Sequence, residues 1–157
     1  MIYVFDNDAF RIMSHYYPTT FKTLWENMDL LADTGKLISV KDVVREIESK
    51  LPNLGFLEPW IKKQKKIFVA PENNEMLFVA EIFKIAHFRM EMGEQAILRG
   101  DPHADPFLIA AAKVRGGTVV TQEKWKPNSG KIPNVCDHFG VPHMTIEKFF
   151  QTQSWIF

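Results

Sequence analysis

Residues 105–123, DPFLIAAAKVRGGTVVTQE, decide how this chain folds. From Phe107 to Ala112 the stretch is almost wholly apolar, as expected of a helix inside a layered fold rather than one lying on a surface. Gly116 and Gly117 then turn the chain into TVVT, residues 118–121, whose apolar residues run on without alternation. That pattern predicts a strand buried on both faces, as in a parallel sheet covered by helices. A buried helix delivering its chain into a buried strand is half of a βαβ unit.

The same logic extends to both sides. IYVF, residues 2–5, reads as a first strand buried on both faces, and KLISV, residues 36–40, as a second. A short helix through Phe10 and Met13 ends before Pro18, and Phe21, Leu24, Trp25, Met28 and Leu31 recur at helical spacing before Gly35. Ser39 reads as an N-cap for a helix whose apolar stripe is Val40, Val43, Val44, Ile47 and Leu51, ending before Pro52. GFLEPWIKKQKK, residues 55–66, predicts a helix with Pro59 in its first turn. NNEMLFVAEIFKIAHFRM, residues 73–90, predicts one long helix, and EQAILRG a short one stopped by Gly100. Further short helices are expected in IPNVCDHFG and IEKFFQ, residues 132–140 and 146–151. Strands alternating with helices predict a single α/β domain over residues 1–157, three layers deep, with a central, mainly parallel sheet. Sites in such sheets lie at the carboxyl ends of the strands.

Composition narrows the function classes. At 157 residues, 46% hydrophobic and 24% charged, the chain has the make-up of a folded globular domain. It carries 19 basic and 19 acidic residues, so no global field draws it to nucleic acid or to an anionic membrane. Polyanion contacts must then be local. The dense basic run is Lys62, Lys63, Lys65 and Lys66, read either as the solvated, cation-rich end of a helix or as a phosphate-tracking patch. No apolar run reaches the length of a bilayer span, IYVF lacks the basic start and cleavage site of a signal peptide, and the lone Cys136 suits a reducing compartment. The expectation is a cytoplasmic protein without a membrane partner.

Acids recur where strands end. Asp6 lies directly beyond the first strand, Glu123 two residues beyond TVVT, and Asp105 at the start of the buried helix. Each has a structural reading: Asp6 as a helix cap, and Asp105 as an N-cap followed by Pro106 at the first helical position. A fourth acid is expected from the helix after Ser39, which carries Asp42, Glu46 and Glu48. At about 100° per residue, Glu48 lies roughly 80° from the centre of the apolar stripe and Glu46 roughly 120°, so periodicity favours Glu48. Carboxylates that converge without cations repel one another and need a counter-charge. Hard oxygen ligands select Mg²⁺ or Mn²⁺ over zinc, and such ions activate water and stabilise the leaving oxygen of a phosphodiester.

These residues resemble the PIN-domain family, and more closely a PIN-like branch similar to VapC-type toxin ribonucleases. IYVFDNDAF resembles the family's opening strand with its Asp, ISVKDVVREI its second strand and Glu-bearing helix, and ADPFLIAAAKVRGGTVVTQE its D-x-x-I-A-A-x-A segment, glycine turn and strand ending in T-x-D. The last block is the most specific. The resemblance implies a metal-dependent endoribonuclease, a toxin that dimerises and is neutralised by an antitoxin protein, with Asp6, Glu46, Asp105 and Glu123 as an acidic quartet holding Mg²⁺ or Mn²⁺. It places the glutamate a turn into its helix, hence Glu46 over Glu48. Asp8 falls near the family's supporting polar residue, and Thr121 falls on its hydroxyl position, to orient a metal-bound water or a carboxylate. The fourth acid is Glu123 where the family commonly has Asp, and the extra methylene moves the carboxylate or changes its denticity. Residues 55–100 exceed what a minimal toxin of this kind needs.

Lys124 and Lys126, flanking Trp125 just past the last acid, are candidate contacts for phosphate and a stacked base, while core burial of Trp125 is the competing and preferred reading. Other readings stay open. FDNDAF and GDPHAD also fit the D-x-D and G-D-x-x-x-D motifs of haloacid-dehalogenase-like phosphatases, with Asp6 as nucleophile and Asp101 and Asp105 as metal ligands. Against this, EQAILRG reads as a helix where that fold needs a strand. A third reading is a catalytically inactive RNA- or protein-binding module that has lost its chemistry at Glu123. Cys136, His138 and His143 offer three zinc-type ligands in a spacing unlike the usual pattern, and the terminal SWIF is expected to pack on the body or on a second subunit.

Overall fold

A computed structural model describes residues 1–50 and 55–157. Strands β1 (Ile2–Phe5), β2 (Leu37–Val40), β3 (Phe68–Val69), β4 (Gly117–Val120) and β5 (His143–Met144) form one sheet in the order β3-β2-β1-β4-β5. Every neighbouring pair is parallel. The helices are α1 (Asn7–Met13), α2 (Lys22–Asp33), α3 (Lys41–Lys50), α4 (Leu57–Lys63), α5 (Asn73–Phe83), α6 (Ala86–Glu91), α7 (Glu94–Leu98), α8 (Asp105–Arg115), α9 (Ile132–Phe139) and α10 (Ile146–Thr152). The result is the three-layer α/β/α architecture that the alternation of elements predicts.

The topology positions the site. The chain builds outward from β1 through β2 to β3, returns to pair β4 with the other side of β1, and ends at β5. Right-handed crossovers therefore put the first two connections on one face of the sheet and the next two on the other. The order reverses between β1 and β4, and a crevice opens there at the carboxyl ends.

Packing follows the same division. On one face Phe10 of α1 meets Trp60 of α4 and Phe68, Trp25 of α2 meets Trp60, and Phe149 of α10 sets its edge against Tyr3 and Phe5. On the other, α8 packs on β1, β4, α5 and α9. Leu108, Ile109, Ala110 and Ala111 of α8 are fully buried, because the small alanines let the helix lie close to the sheet. Gly117 serves the same closeness: a Cβ there would stand 3.1 Å from the Ile2 carbonyl oxygen. Gly116, at φ +70°, closes α8 in the left-handed conformation. Trp155 packs on Phe149 and Phe150, while Ile156 is exposed.

Several local expectations are corrected. Ser39 is not a helix cap. It lies buried in β2 with its hydroxyl donating to the Phe5 carbonyl at 2.6 Å, and Val40 ends the same strand, so α3 starts at Lys41. Leu51 and Pro52, the expected end of that helix's stripe, lie outside the described residues. The long helix over 73–90 is two, α5 and α6, broken where Ile85 takes an extended backbone (ψ 114°). The edge strands β3 and β5 have no counterpart in the sequence reading, since each is two residues long and too short for a periodicity.

The α5–α8 contact contains a buried charge pair. Glu75, 1% exposed, accepts from Arg115 Nε at 2.9 Å and Nη2 at 3.3 Å, and its second oxygen also takes the Glu72 N–H at 2.7 Å as part of a capping box. The Glu75 carboxylate raises the Arg115 pKa further above its usual value. Replacing Glu75 by Ala leaves the partly buried Arg115 guanidinium with the longer 3.6 Å contact to Glu72 and is expected to cost about 2 kcal/mol in denaturant unfolding. The double replacement Glu75→Leu with Arg115→Met is expected to cost much less, since it leaves no unpaired charge.

Candidate active site

The register of β1 against β4 brings the acids together. Phe5 pairs with Val120, and the Asp6 N–H reaches the Val120 carbonyl at 3.2 Å, so the chain segments leaving both strands start side by side. Asp6, Asn7, Asp8, Glu46, His103, Asp105 and Glu123 line a single polar cleft of about 170 Å³ at this point. All four acids of the expected quartet are in it. Among the described residues no lysine or arginine lines it.

Each carboxylate is held differently. Asp6, 3% exposed, caps α1 by accepting the Ala9 N–H at 2.7 Å, and the buried Thr121 hydroxyl hydrogen-bonds to it. Burial nevertheless dominates and pushes its pKa up to about 7, with Asp8 and Glu123 adding repulsion. Glu46, 6% exposed, accepts the Ala104 N–H through Oε1 and the Asn7 side-chain amide through Oε2 at 3.4 Å. It thereby ties α3 to the starts of α1 and α8. Glu123 uses its longer side chain to accept the Ile132 N–H at 2.8 Å, at the first residue of α9, while its own N–H donates to Thr121 Oγ1 at 3.1 Å. The methylene that distinguishes it from Asp is what lets it reach that helix.

Asp105 is the exception. The expectation of an ordinary N-cap fails: α8 is capped at Ala104 without any side-chain hydrogen bond, and Asp105 is its first residue. Its carboxylate enters the cleft instead, where burial first, then Glu123, Glu46, Asp6 and Asp8, raise its pKa well above the usual carboxylate range. Among the described residues Asp105 has no hydrogen-bond partner in the fold, and burial together with four neighbouring acids disfavours its ionised form.

The donor set fits a hard divalent ion. All four acids are oxygen donors around one small polar space; Asp6, Glu46 and Glu123 each spend one oxygen on a backbone N–H, and the second oxygen of Glu46 takes only the long 3.4 Å hydrogen bond from Asn7. Among the described residues no three His, Cys, Asp or Glu side chains stand closed around one point. Those backbone hydrogen bonds hold the carboxylates to the walls of the cleft.

Other expected residues fall inside and outside this cleft. Asp8 lines it and pairs with Arg11 at 3.0 Å. Asp101 does not line it and is an exposed partner of Arg99 at 3.2 Å. Glu48 is exposed, so the choice that periodicity favoured is wrong: α3 packs against both α1 and β3, and its buried arc is wider than the apolar stripe. Lys62, Lys63 and Lys66 pair with Glu58, Asp29 and Asp33 at 3.2, 2.9 and 2.6 Å, and with Lys65 they precede the amino end of β3, away from the strand ends that carry the acids. Three of the four lysines of the run are thus exposed partners of acids on α2 and α4. Trp125 is 57% exposed, not core, and Lys124 and Lys126 beside it are exposed. Cys136 is buried in the core, where burial raises its thiol pKa, His143 pairs with Asp137 and His138 packs on Phe88, so the three do not meet.

Two residues of the cleft lie outside the expected site set. Asn7 orients Glu46, and no periodicity marks it. The His103 backbone N–H donates to Asp42 at 3.4 Å, and its buried ring Nε2 has no partner among the described residues. Its ring fills the space under Gly93, where a Cβ would come within 2.5 Å, and it forms the wall between the acidic cleft and a second cleft of about 320 Å³ that includes Arg89 and Arg99. A histidine two residues before Asp105 is the only signal the sequence offered.

A family model described as a domain of unknown function, DUF4411, matches residues 3–157. The chain belongs to the DUF4411 family. Among solved structures, the DUF4411 chain is similar to one described as the crystal structure of PAE2754 from Pyrobaculum aerophilum, at 15% identity and TM-score 0.52, covering 98% of this chain and 97% of that one. At that identity the likeness concerns the fold alone. No curated protein matches the DUF4411 chain. Among the described residues no helix is long and apolar enough to cross a membrane.

The two glutamates of α3 give a direct contrast. If the cleft cleaves RNA with a divalent metal, Glu46→Gln is expected to lower the rate on the order of 10³-fold or more, because Glu46 both lines the cleft and holds its walls together. Glu48→Gln is expected to leave the rate unchanged. Equal effects would mean that α3 does not supply the fourth acid through Glu46.

Proposed function

We propose that this DUF4411 protein is a PIN-like, metal-dependent endoribonuclease that hydrolyses RNA phosphodiester bonds, acting in the cytoplasm as the toxin of a toxin–antitoxin pair. The observation that carries the reading is Asp105: a carboxylate that faces Asp6, Glu46 and Glu123 in a cleft that, among the described residues, no lysine or arginine lines. Asp6, Glu46 and Asp105 would hold one Mg²⁺ or Mn²⁺, and Glu123 a second ion or its waters. Such an ion lowers the pKa of bound water and stabilises charge on the scissile phosphate and the leaving oxygen. The chain's own residues do the positioning. Thr121 bridges Asp6 and the Glu123 backbone, fixing the β1 and β4 sides of the cleft against each other. Asn7 and the Ala104 N–H fix Glu46. The antitoxin partner and a homodimer belong to the same proposal through the resemblance to VapC-type toxins.

The test is cleavage of total cellular RNA by the purified protein with Mg²⁺ or Mn²⁺ and with EDTA, alongside Asp6→Asn, Asp105→Asn and Glu123→Gln. Metal-dependent cleavage by the parent and its loss in the variants is the expected result. Equal cleavage by all four proteins would overturn the proposal.

A further inference from the structure

The loop that holds the last acid, residues 121–131, carries an exposed tryptophan on a backbone tied at several points. Glu123 accepts the Ile132 N–H, Lys126 and Asn134 exchange two hydrogen bonds at 3.1 and 2.6 Å, and Ser129 donates to Glu91 of α6 at 3.1 Å. Gly130 presses so closely on α6 that a Cβ there would stand 2.8 Å from the Glu91 Cβ. The loop is thus fastened to α9 and to α6. Trp125 nonetheless stays 57% exposed, and among the described residues it makes no ring–ring contact. Lys124 and Lys126 on either side are exposed, and neither forms an ion pair with a described residue. An indole that the fold leaves in water, between two uncommitted cations and two residues from a cleft acid, is poorly explained by packing. It has the make-up of a stacking platform: a π-face for a base, cations for the flanking phosphates, and a backbone that needs no ordering on binding.

We propose that Trp125, with Lys124 and Lys126, binds single-stranded RNA beside the acidic cleft by stacking one base on the indole. This rests on the reading of the cleft as a ribonuclease site and adds the substrate class: the strand must be unpaired, because a base inside a duplex has no free face to offer. It also gives a function to a part of the chain that the acidic quartet does not use.

Binding in EDTA separates the two claims, because metal-dependent hydrolysis is then absent. A fluorescein-labelled single-stranded RNA of about ten nucleotides, the span of an ordinary single-strand site, is titrated by anisotropy. Trp125→Ala is expected to weaken binding roughly 10- to 100-fold and Trp125→Phe only slightly. In the parent, bound RNA should quench tryptophan emission, and Trp125→Phe should lose that quenching. Changing Lys124 and Lys126 to Gln should reduce the salt dependence of log K by about 0.7 per lysine. The proposal is overturned if the parent shows no saturable binding, if Trp125→Ala binds as the parent does, or if a duplex competes as well as a single strand. It is also overturned if Trp125→Ala instead dissociates a parent dimer in sedimentation, which would assign the indole to a second copy. Trp125-dependent binding without cleavage in any metal would sustain the platform and remove the nuclease.

Discussion

Asp105→Asn is expected to abolish metal-dependent cleavage and at the same time to make the metal-free protein more stable. Loss of a group that merely supports metal ligands typically costs 10- to 100-fold, so removing a direct ligand should cost on the order of 10³-fold or more. The stability gain has a separate cause. Asp105 takes part in no cap, its burial disfavours the charge, and Glu123, Glu46, Asp6 and Asp8 all push against it. An isosteric neutral amide keeps the shape and removes the repulsion. Denaturant unfolding in EDTA at pH 8 should place the variant above the parent, and saturating Mn²⁺ should reverse the order, because only the parent gains a bound ion. A variant that loses both activity and metal-free stability would mark Asp105 as a structural residue.

The second large effect is a pH dependence of opposite sign to ordinary acid denaturation. Burial sets the Asp6 pKa at about 7 in the folded protein, against 3.8 as its reference value. The folded state therefore binds the proton more tightly than the unfolded one. The resulting stability is fully present below about pH 4, declines by roughly 1.4 kcal/mol per pH unit as Asp6 ionises in the unfolded chain, and levels off above about pH 7. The total is about 4 kcal/mol, and Asp105 acts in the same direction. Other groups titrate over the same range, so the quantity to measure is the difference between parent and Asp6→Asn. Asn still caps α1, and its amide still meets the Thr121 hydroxyl. In EDTA the variant's advantage should grow from near zero at pH 4 to several kcal/mol at pH 8. In Mn²⁺ it should shrink or vanish. A difference that stays flat with pH would mean that Asp6 is ionised and adequately solvated in the free protein.

The sequence made the inner strands and the site acids legible for one physical reason. Strands covered on both faces lack charges and are largely apolar, as IYVF, LISV and TVVT are; Asp6 and Glu123 stand out as the first charges after the first and last of these runs. Legibility failed where tertiary packing overrides local pattern. Ser39 has the chemistry of a cap and the position of a strand residue, and only the paired Phe5 carbonyl shows which applies. Glu46 and Glu48 differ by which arc of α3 is covered, and that arc is set by α1 and β3, distant in sequence. Trp125 was favoured as core because a large apolar side chain is usually buried, whereas its loop is fixed by side chains of α6 and α9 that no local pattern reveals. The basic run was ambiguous for the same reason: its ion-pair partners Asp29 and Asp33 sit on α2, more than thirty residues away.

The claim at the centre is that four carboxylates from separate elements form one binding site for a divalent cation. Calorimetric titration of the purified protein with Mn²⁺ at pH 8 tests it without any need to know the RNA. Saturable binding by the parent, lost in Asp6→Asn combined with Asp105→Asn while both proteins remain folded, is the predicted result. A parent that binds no Mn²⁺, or a double variant that binds it as well as the parent does, would contradict the account.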